Sequence, residues 1–435
     1  MSSLRFVSSR GLAQPTTLSE AIRQGLAPDG GLYVPTRLPS VDSASLKPLS
    51  RLPAMAQVSL KGFFEGDALQ PRLDEIAEAA LNLDAPTTPV AGAADALFVL
   101  ELFHGPTAAF KDFGARFLAE CLQRLESGSS QPLTILVATS GDTGGAVAAA
   151  FHRRPWVRVV ILYPNGLVSP RQEQQLTCWG DNVISLRIEG TFDDCQRLVK
   201  EAFVDTALNH EHRFSSANSI NIGRLLPQMV YYAASSLDVA QRCGATPSYI
   251  IPTGNLGNAM AAIWARALGF PIGRIILAHN ANRTVVDYLQ SGVWQPRPSI
   301  PTLASAMDVG NPSNMERIRA LFPTLDSIRE HLSADSVDDA TIRARIGEDY
   351  MQYGRVWCPH TATAAEIYGR LSAQDRRDHP WVLVATAHPA KFNDVVEPII
   401  GKRIDTPESL DRLLILPQHF VDLPPSLKAV AAALA

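Results

Sequence analysis

Short, mostly apolar runs alternate with amphipathic stretches along much of the chain. Runs of about four to eight apolar residues are typical of strands that are buried on both faces of a parallel sheet. Strands are predicted at 97–100, 133–138, 157–162, 183–188, 249–252, 275–278 and 381–385. Helices are predicted between them, among others at 170–177, 192–207 and 221–243. This alternation predicts an α/β fold built from doubly wound, mostly parallel sheets.

The pattern changes near residue 90, and the chain is long enough for two or three domains. Residues 1–90 contain predicted helices at 18–26 and 73–83, which are separated by proline-rich loops. The alternating strands and helices begin only after this segment. We therefore expect an added N-terminal domain at 1–90 and an α/β domain at 91–245. A second α/β domain, with helical insertions and a C-terminal tail, is expected at 246–435.

Lys111 lies between a predicted turn and an amphipathic helix. Gly105 and Pro106 are typical of a tight turn. Apolar residues then recur at three- and four-residue spacing, at Phe113, Phe117, Leu118, Cys121, Leu122 and Leu125. Asp112 is expected to cap the helix that this spacing predicts. Lys111 is therefore expected at the start of the helix.

The neighbours of Lys111 are expected to change its chemistry. Phe110 and Phe113 flank it closely, and apolar surroundings disfavour a charged ammonium, which lowers the pKa of the amine. A lysine whose pKa approaches neutrality is a nucleophile that forms a Schiff base with a carbonyl group. Because most lysines near helix starts are solvated, this hypothesis depends on what lies around Lys111.

Two loops that follow predicted strands have the composition of anion-binding sites. Residues 253–258 carry glycines at 254 and 257, so their backbone amides can converge at the positive end of the next helix. The loop contains no Lys or Arg and matches neither the Walker pattern nor the dinucleotide fingerprint. Residues 139–145 offer hydroxyl and amide donors for a carboxylate or phosphate. Each loop alone is more often an ordinary turn.

These two loops and Thr386 all follow strands of what we predict to be one sheet. Open α/β folds bind their ligands at the carboxyl ends of parallel strands. The three segments are therefore expected to meet at one site.

The composition is that of an ordinary globular protein of 435 residues, with 46% hydrophobic and 19% charged residues and a net charge of −4. This balance predicts neither nucleic-acid nor membrane binding. Five widely spaced cysteines predict neither a disulfide framework nor a zinc site, and a reducing cytoplasm fits best. The histidines form no metal-ligand pattern, and His210 and His212 are expected in a surface loop.

The motifs described so far occur in one order with several others. Along the chain they are an opening Ser9-Arg10-Gly11, Asp29-Gly-Gly-Leu-Tyr-Val-Pro35, His104-Gly-Pro-Thr-x-Ala-Phe-Lys-Asp112, Thr139-Ser-Gly-Asp-Thr-Gly144, Asn218-Ser-Ile-Asn-Ile222, Gly254-Asn-Leu-Gly-Asn258, Asn311-Pro-Ser-Asn314 and Thr386-Ala-His-Pro-Ala-Lys-Phe392. With this series the chain resembles the threonine synthase family over nearly its whole length.

The resemblance implies a fold type II pyridoxal-phosphate enzyme with an added N-terminal domain. The implied activity is conversion of O-phospho-L-homoserine and water to L-threonine and phosphate, the last step of threonine biosynthesis. Lys111 would form the Schiff base with pyridoxal 5'-phosphate, and Thr386 would face the pyridine nitrogen. The cofactor phosphate would be bound by Gly254, Asn255, Leu256, Gly257 and Asn258. Leu256 replaces the Phe of many family members, which a loop that binds through backbone amides should tolerate.

The resemblance also implies residues for the substrate. The side chains that would line the substrate side are Ser140, Asp142 and Thr143. Asn221 and Arg224, one turn apart on the predicted 221–243 helix, are our candidates for binding the substrate phosphate. Arg116 is placed behind them. The alternative for Arg224 is an ordinary surface arginine.

Two other functions share part of this pattern. Another type II enzyme, such as a threonine or serine dehydratase or a β-replacing synthase, would share Lys111 and the glycine loop, but it gives no reason for the N-terminal domain. A non-catalytic, ligand-binding relative would not need Lys111. We expect a small-molecule substrate, no nucleic-acid or membrane partner, and a monomer or homodimer in the cytoplasm.

Overall fold

The computed structural model describes residues 3–49, 51–93 and 95–434. In this part of the chain the strands are β1 (Phe6–Ser8), β2 (Tyr33–Pro35), β3 (Thr87–Pro89), β4 (Leu97–Glu101), β5 (Leu133–Ala138), β6 (Val157–Pro164), β7 (Val183–Ile188), β8 (Phe214–Ser215), β9 (Ser248–Pro252), β10 (Ile275–His279), β11 (Leu332–Ser336), β12 (Trp381–Ala385) and β13 (Val421–Leu423). The helices are α1 (Leu18–Gln24), α2 (Leu52–Leu60), α3 (Leu73–Ala80), α4 (Lys111–Glu126), α5 (Asp142–Phe151), α6 (Pro170–Thr177), α7 (Phe192–Val204), α8 (Thr206–His212), α9 (Ile222–Leu225), α10 (Gln228–Cys243), α11 (Gly257–Ala267), α12 (Thr284–Ser291), α13 (Met315–Leu321), α14 (Leu325–His331), α15 (Asp339–Tyr353), α16 (Pro359–Arg370), α17 (Ala373–Asp378), α18 (Asn393–Ile400), α19 (Glu408–Leu414) and α20 (Leu427–Leu434).

The longer strands form two sheets. One has the order β11-β10-β9-β12-β4-β3 and is parallel except for β3, which runs antiparallel to β4. The other has the order β13-β7-β6-β5-β8 and is parallel throughout. The α/β fold with mostly parallel sheets is thus confirmed. Our prediction that both ligand loops follow strands of one sheet is wrong, because β5 lies in one sheet and β9 and β12 lie in the other.

Burial explains why the strands were recognisable. Every residue of β5, β9, β10 and β12 is buried, so these strands show apolar runs and no alternation. Leu383, for example, lies between Val99 and Ile250 of the neighbouring strands. All seven predicted strands are present, with ends that shift by at most two residues. The strands β1, β3, β8, β11 and β13 were missed, because they are short or, like β11, largely polar.

Four predicted helices are shorter than expected, and α1 and α3 end two and three residues before the predicted positions. The helix predicted at 221–243 is interrupted at Pro227, which has no N–H to donate, and divides into α9 and α10. The helix after β7 ends early, and Asp205 accepts hydrogen bonds from two amides at the start of α8. His210 and His212 lie on α8 and not, as expected, in a loop.

The N-terminal residues share one hydrophobic core with the helices that carry the site. Helix α2 packs against α10, and α3 packs against α4. Phe63 stacks on Trp264 with 6.2 Å between ring centroids, and Phe64 meets Phe117 edge-on at the same distance. Across the described residues, every helix is too short or too polar to span a lipid bilayer.

Candidate active site

A cavity lies where the carboxyl ends of β5, β9 and β12 meet the start of α4. Its walls are formed by Phe110, Lys111, Asp142, Ser219, Arg224, Gln228, Pro252, Thr253, Gly254, Asn255, Leu256, Gly257, Asn258, Ala306, Met307, His360 and Thr386. The cavity lies between the two sheets, since β5 belongs to one and β9 and β12 to the other. The structure therefore brings together the lysine, the glycine loop, Asp142 and Thr386, which the sequence presents as separate motifs.

Backbone hydrogen bonds hold Lys111 beside the end of β12. The Phe110 amide donates to the Thr386 carbonyl at 2.9 Å, and the His388 amide donates to the Ala108 carbonyl at 3.0 Å. These bonds flank an antiparallel bridge between the two segments. The lysine and Thr386 consequently have a fixed relation to each other.

The ammonium of Lys111 is strongly desolvated. Its Nζ lies 4.7 Å from the centre of the Phe110 ring. Burial, and then the nearby Arg224 guanidinium, lower the pKa of Lys111 to about 8, although Asp142 acts in the opposite direction. The lowered pKa that the apolar neighbours predict is therefore present. At pH 7 about a tenth of such an amine is unprotonated, far more than of a solvated lysine with a pKa of about 10.4.

Asp112 does not cap helix α4. The helix begins at Lys111, with Phe110 at the N-cap position, so Asp112 lies inside the first turn. Its carboxylate is buried and accepts hydrogen bonds from the Thr107 amide at 2.9 Å and the Thr107 hydroxyl at 2.8 Å. Asp112 thus fixes the turn before the lysine.

The glycine loop at 254–258 comes close to neighbouring segments. A Cβ at Gly254 would lie 2.7 Å from the Met307 backbone, so only glycine fits there. Leu256 has a φ of 62° and forms the N-cap of α11. The first amides of an α-helix have no intrahelical acceptor, and these amides border the cavity.

Asn258 offers a further donor in this loop. Its Oδ1 accepts hydrogen bonds from Tyr231 at 2.6 Å and Tyr232 at 2.9 Å. Its Nδ2 is buried, and no acceptor for it exists among the described residues. This part of the cavity fits a phosphate group. It offers backbone amides at the start of α11 and the unpaired side-chain amide of Asn258, beside a wall that leaves room only for glycine.

Ser219 and Asn314 support the same loop and were not recognised individually in the sequence. Asn255 donates from Nδ2 to the Ser219 hydroxyl at 2.6 Å, and its Oδ1 accepts from the Ser313 amide at 2.6 Å. Asn314 donates to the Asn255 carbonyl at 2.9 Å. Both residues belong to asparagine-rich motifs noted above, which was the available signal.

The loop after β5 contributes a carboxylate. The Thr139 hydroxyl accepts from the amides of Gly141 and Gly144, which shapes the turn. Asp142 begins α5 and lines the cavity. Ser140 and Thr143 are partly exposed beside it and are not part of the wall described for this cavity.

Asp142 is paired with Lys391, which sequence reasoning did not select. Lys391 Nζ lies 2.7 Å from Asp142 Oδ1, and Gln172 donates to the same oxygen at 2.9 Å. Burial raises the pKa of a carboxylate, but Lys391 and, after it, His360 outweigh burial and lower the pKa of Asp142 to about 2. Lys391 lies in the 386–392 motif, so the motif itself was the signal.

His360 was also missed, and no sequence pattern singled it out. Its Nε2 accepts a hydrogen bond from the Ala306 amide at 3.1 Å. Burial lowers the pKa of His360 to about 4, so the ring is neutral near pH 7.

The three residues proposed for the substrate phosphate lie in different environments. Arg224 lines the cavity, where it donates to the carbonyls of Ala217 and Lys111, and burial lowers its pKa to about 10. It is therefore not a surface arginine. Asn221 is fully buried, caps α9 and donates to the Ile22 carbonyl.

Arg116 points away from the cavity. Its guanidinium donates to the carbonyls of Ala79 and Ala80 at the end of α3, and to Asn82. Its hydrogen bonds, like the one from Asn221 to Ile22, connect the α/β part of the chain to the N-terminal residues. We correct the sequence-based assignment accordingly, because neither side chain faces the cavity.

Three family models match the chain. The one described as "Threonine synthase N terminus" matches residues 5–81, the one described as "Pyridoxal-phosphate dependent enzyme" matches 84–387, and the one described as "Threonine synthase, C-terminal" matches 361–434. Among curated proteins, the threonine synthase of Haemophilus influenzae is 40% identical over 93% of each chain, and that of Escherichia coli is 38% identical over 96% of each.

Solved structures of threonine synthases are also similar to this chain. The crystal structure of threonine synthase from Escherichia coli superimposes with a TM-score of 0.89 at 36% identity and covers 99% of both chains. The pyridoxal-phosphate-bound threonine synthase from Brucella melitensis gives a TM-score of 0.88 at 34% identity, with coverage of 99% of this chain and 98% of that one.

Proposed function

Because the chain belongs to the threonine synthase family of pyridoxal-phosphate-dependent enzymes, we propose a role for each group in its cavity. The enzyme is a pyridoxal-phosphate-dependent lyase that converts O-phospho-L-homoserine and water to L-threonine and phosphate. We base the residue assignments on one observation: a desolvated lysine, a glycine loop and Thr386 lie in the wall of one cavity.

The cavity has the groups that pyridoxal 5'-phosphate requires. The loop 254–258 would hold its phosphate through the helix α11 amides and the unpaired Asn258 Nδ2. Lys111 would bind its aldehyde, and Thr386 would face its pyridine nitrogen. When bound, the cofactor supplies the electron sink that stabilises negative charge on the substrate.

Lys111 has two tasks in this account. Its amine would hold the cofactor through the aldehyde group. The protein around Lys111 lowers the pKa of its amine to about 8, which suits a group that would accept a proton from Cα and return protons along the carbon chain. The bridge to the end of β12 holds Lys111 in place during these transfers.

The substrate side is assigned to the loop after β5. Asp142 is ionised and fixed by Lys391 and Gln172, so it can orient the substrate amine. Ser140 and Thr143, beside Asp142, are our candidates for hydrogen bonds to the substrate carboxylate.

Arg224 is assigned to the substrate phosphate. It lines the cavity, and its hydrogen bonds use one N–H of each Nη. The remaining Nη hydrogens can bind phosphate oxygens and stabilise the leaving group. Asn221 and Arg116 have no part in this assignment.

An assay with O-phospho-L-homoserine tests the function. We expect equal amounts of threonine and inorganic phosphate. A dehydratase, the main alternative, would release ammonia from serine or threonine and would leave the phosphate ester intact. A non-catalytic relative would form neither product.

Location and assembly are also proposals. The described structure contains five unpaired cysteines, which supports a reducing cytoplasm. We expect a monomer or homodimer, to be decided by sedimentation of the purified protein.

A further inference from the structure

Arg317 is a buried cation without an acidic partner. This residue of α13 has no exposed surface. Nε donates to the Tyr33 carbonyl at 3.0 Å and Nη2 to the Ile220 carbonyl at 2.7 Å. Nη1 donates to the Asn314 side chain at 2.6 Å and to the Ser219 carbonyl at 3.2 Å. All of these acceptors are uncharged, and Arg317 takes part in no ion pair among the described residues.

The neighbouring carboxylate does not compensate this charge. Glu316 accepts hydrogen bonds from Ser9 at 2.6 Å and Arg10 at 2.9 Å, so it faces the N-terminal residues. Burial lowers the pKa of Arg317 to about 9, with Glu316 only opposing this change. A cation buried in this way is costly unless a counter-charge is present in the working state of the protein.

The groups that Arg317 holds lie directly behind the glycine loop. Ser219 lines the cavity and accepts from Asn255, while Asn314 donates to the Asn255 carbonyl. A Cβ at Gly257 would lie 3.1 Å from the Ser219 side chain. Only one layer of residues therefore separates the guanidinium from a loop that carries no basic side chain of its own.

We propose that Arg317 is a positioning residue for the cofactor phosphate and supplies the positive charge that the glycine loop lacks. The proposal rests on the assignment of that phosphate to residues 254–258. Arg317 acts in two ways: it fixes Ser219 and Asn314 against Asn255, and its charge attracts the phosphate dianion through a poorly solvated layer. Its bond to Tyr33 makes the N-terminal domain a structural support of the cofactor site.

The test compares two ligands that differ only in the phosphate. Pyridoxal 5'-phosphate and 5'-deoxypyridoxal both offer an aldehyde to Lys111, and absorbance reports the equilibrium binding of each to the apoenzyme. For Arg317→Met we expect affinity for pyridoxal phosphate to fall about tenfold or more, and affinity for deoxypyridoxal to change less than about twofold. Arg319→Met is the matched control, because Arg319 lies on the same helix but stacks on Tyr288 and Trp294.

A second variant separates charge from folding. Arg317→Lys keeps the charge but loses the planar set of donors, so we expect a lower melting temperature with the preference for the phosphorylated ligand within about threefold of wild type. An equal loss of affinity for both ligands in Arg317→Met would overturn the proposal. Loss of the preference for the phosphorylated ligand in Arg317→Lys would also overturn it. Wild-type protein that binds neither ligand would refute the proposed function itself.

Discussion

The Lys391 ammonium lies 2.7 Å from the Asp142 carboxylate, and both side chains are buried, with 0% and 3% of their surface exposed. Solvent therefore does not screen this ion pair. Gln172 donates to the same carboxylate, and the pKa of Asp142 is lowered to about 2 despite its burial, through Lys391 and then His360. The result is a carboxylate that stays ionised beside Lys111.

Removal of Lys391 should show how strongly the ionisation of Asp142 depends on this ion pair. Lys391→Met is expected to lower the free energy of unfolding by about 3–5 kcal/mol, because it leaves a carboxylate buried without its partner. In the wild type, the Asp142 pKa of about 2 lies below that of an unfolded aspartate, about 3.9. Ionised Asp142 thus stabilises the fold above about pH 4, and this contribution is lost as the pH falls toward 2.

In Lys391→Met the pKa of Asp142 rises, so the loss of stability and of kcat/KM should begin at a higher pH than in the wild type. Urea unfolding and rate profiles across pH measure the two effects. Lys402→Met, at an exposed position, is the control. If Lys391→Met changed neither the acid limb of the kcat/KM profile nor the free energy of unfolding, the ion pair would contribute to neither activity nor stability.

Arg224→Ala should discriminate between ligands with and without phosphate. Loss of a charge-assisted hydrogen bond is expected to weaken the binding of O-phospho-L-homoserine by about 1.5–3 kcal/mol, which is roughly tenfold or more in affinity. The binding of homoserine or serine should change little. Titrations of the holoenzyme, followed by cofactor absorbance, give these affinities. Arg242→Ala, at the exposed end of α10, is the control. Equal weakening of both kinds of ligand would remove Arg224 from the phosphate site.

Thr386→Asp tests which group faces the pyridine nitrogen. A carboxylate there favours the protonated ring, since an opposite charge stabilises the charged form. The stronger electron sink should slow threonine formation and allow some abortive transamination. Thr386→Ser, which keeps the hydroxyl, should behave like the wild type. Normal cofactor binding with a wild-type rate in Thr386→Asp would place Thr386 elsewhere.

Arg116→Ala should affect stability and not substrate binding. Its guanidinium serves carbonyls at the end of α3, so we expect a loss of about 1–2 kcal/mol in unfolding free energy. The KM for O-phospho-L-homoserine should remain within about twofold of wild type. A large rise in KM without loss of stability would restore Arg116 to the substrate site.

The sequence predicts those features that depend on local pattern. Apolar runs reveal the strands, because strands such as β5 and β12 are buried on both faces. Glycines after strand ends reveal the loops, because close backbone contacts such as Gly254 with Met307 exclude other residues. The allocation of strands to two sheets was not predictable, since each strand looks the same in either sheet.

Side-chain direction and long-range pairing account for the remaining errors. Arg116 is five residues after Lys111 on one helix, which turns it about 140° away from the lysine. Asn221 was expected to bind substrate, but a buried helix start needs a cap and uses the side chain for that. Asp142 and Lys391 each lie in a motif, but the two motifs are far apart in the sequence, so no local pattern indicates that these side chains form a pair.

Every role proposed for the cavity depends on Lys111 as the residue that binds the cofactor aldehyde. Borohydride reduction of the holoenzyme, followed by proteolysis and mass spectrometry, identifies the modified lysine directly. We expect the reduced cofactor on Lys111, and no fixed cofactor in Lys111→Ala, which should also have lost turnover by far more than about tenfold, or roughly 1.4 kcal/mol of barrier. Reduced cofactor on Lys391 or another lysine, or on none, would contradict the account.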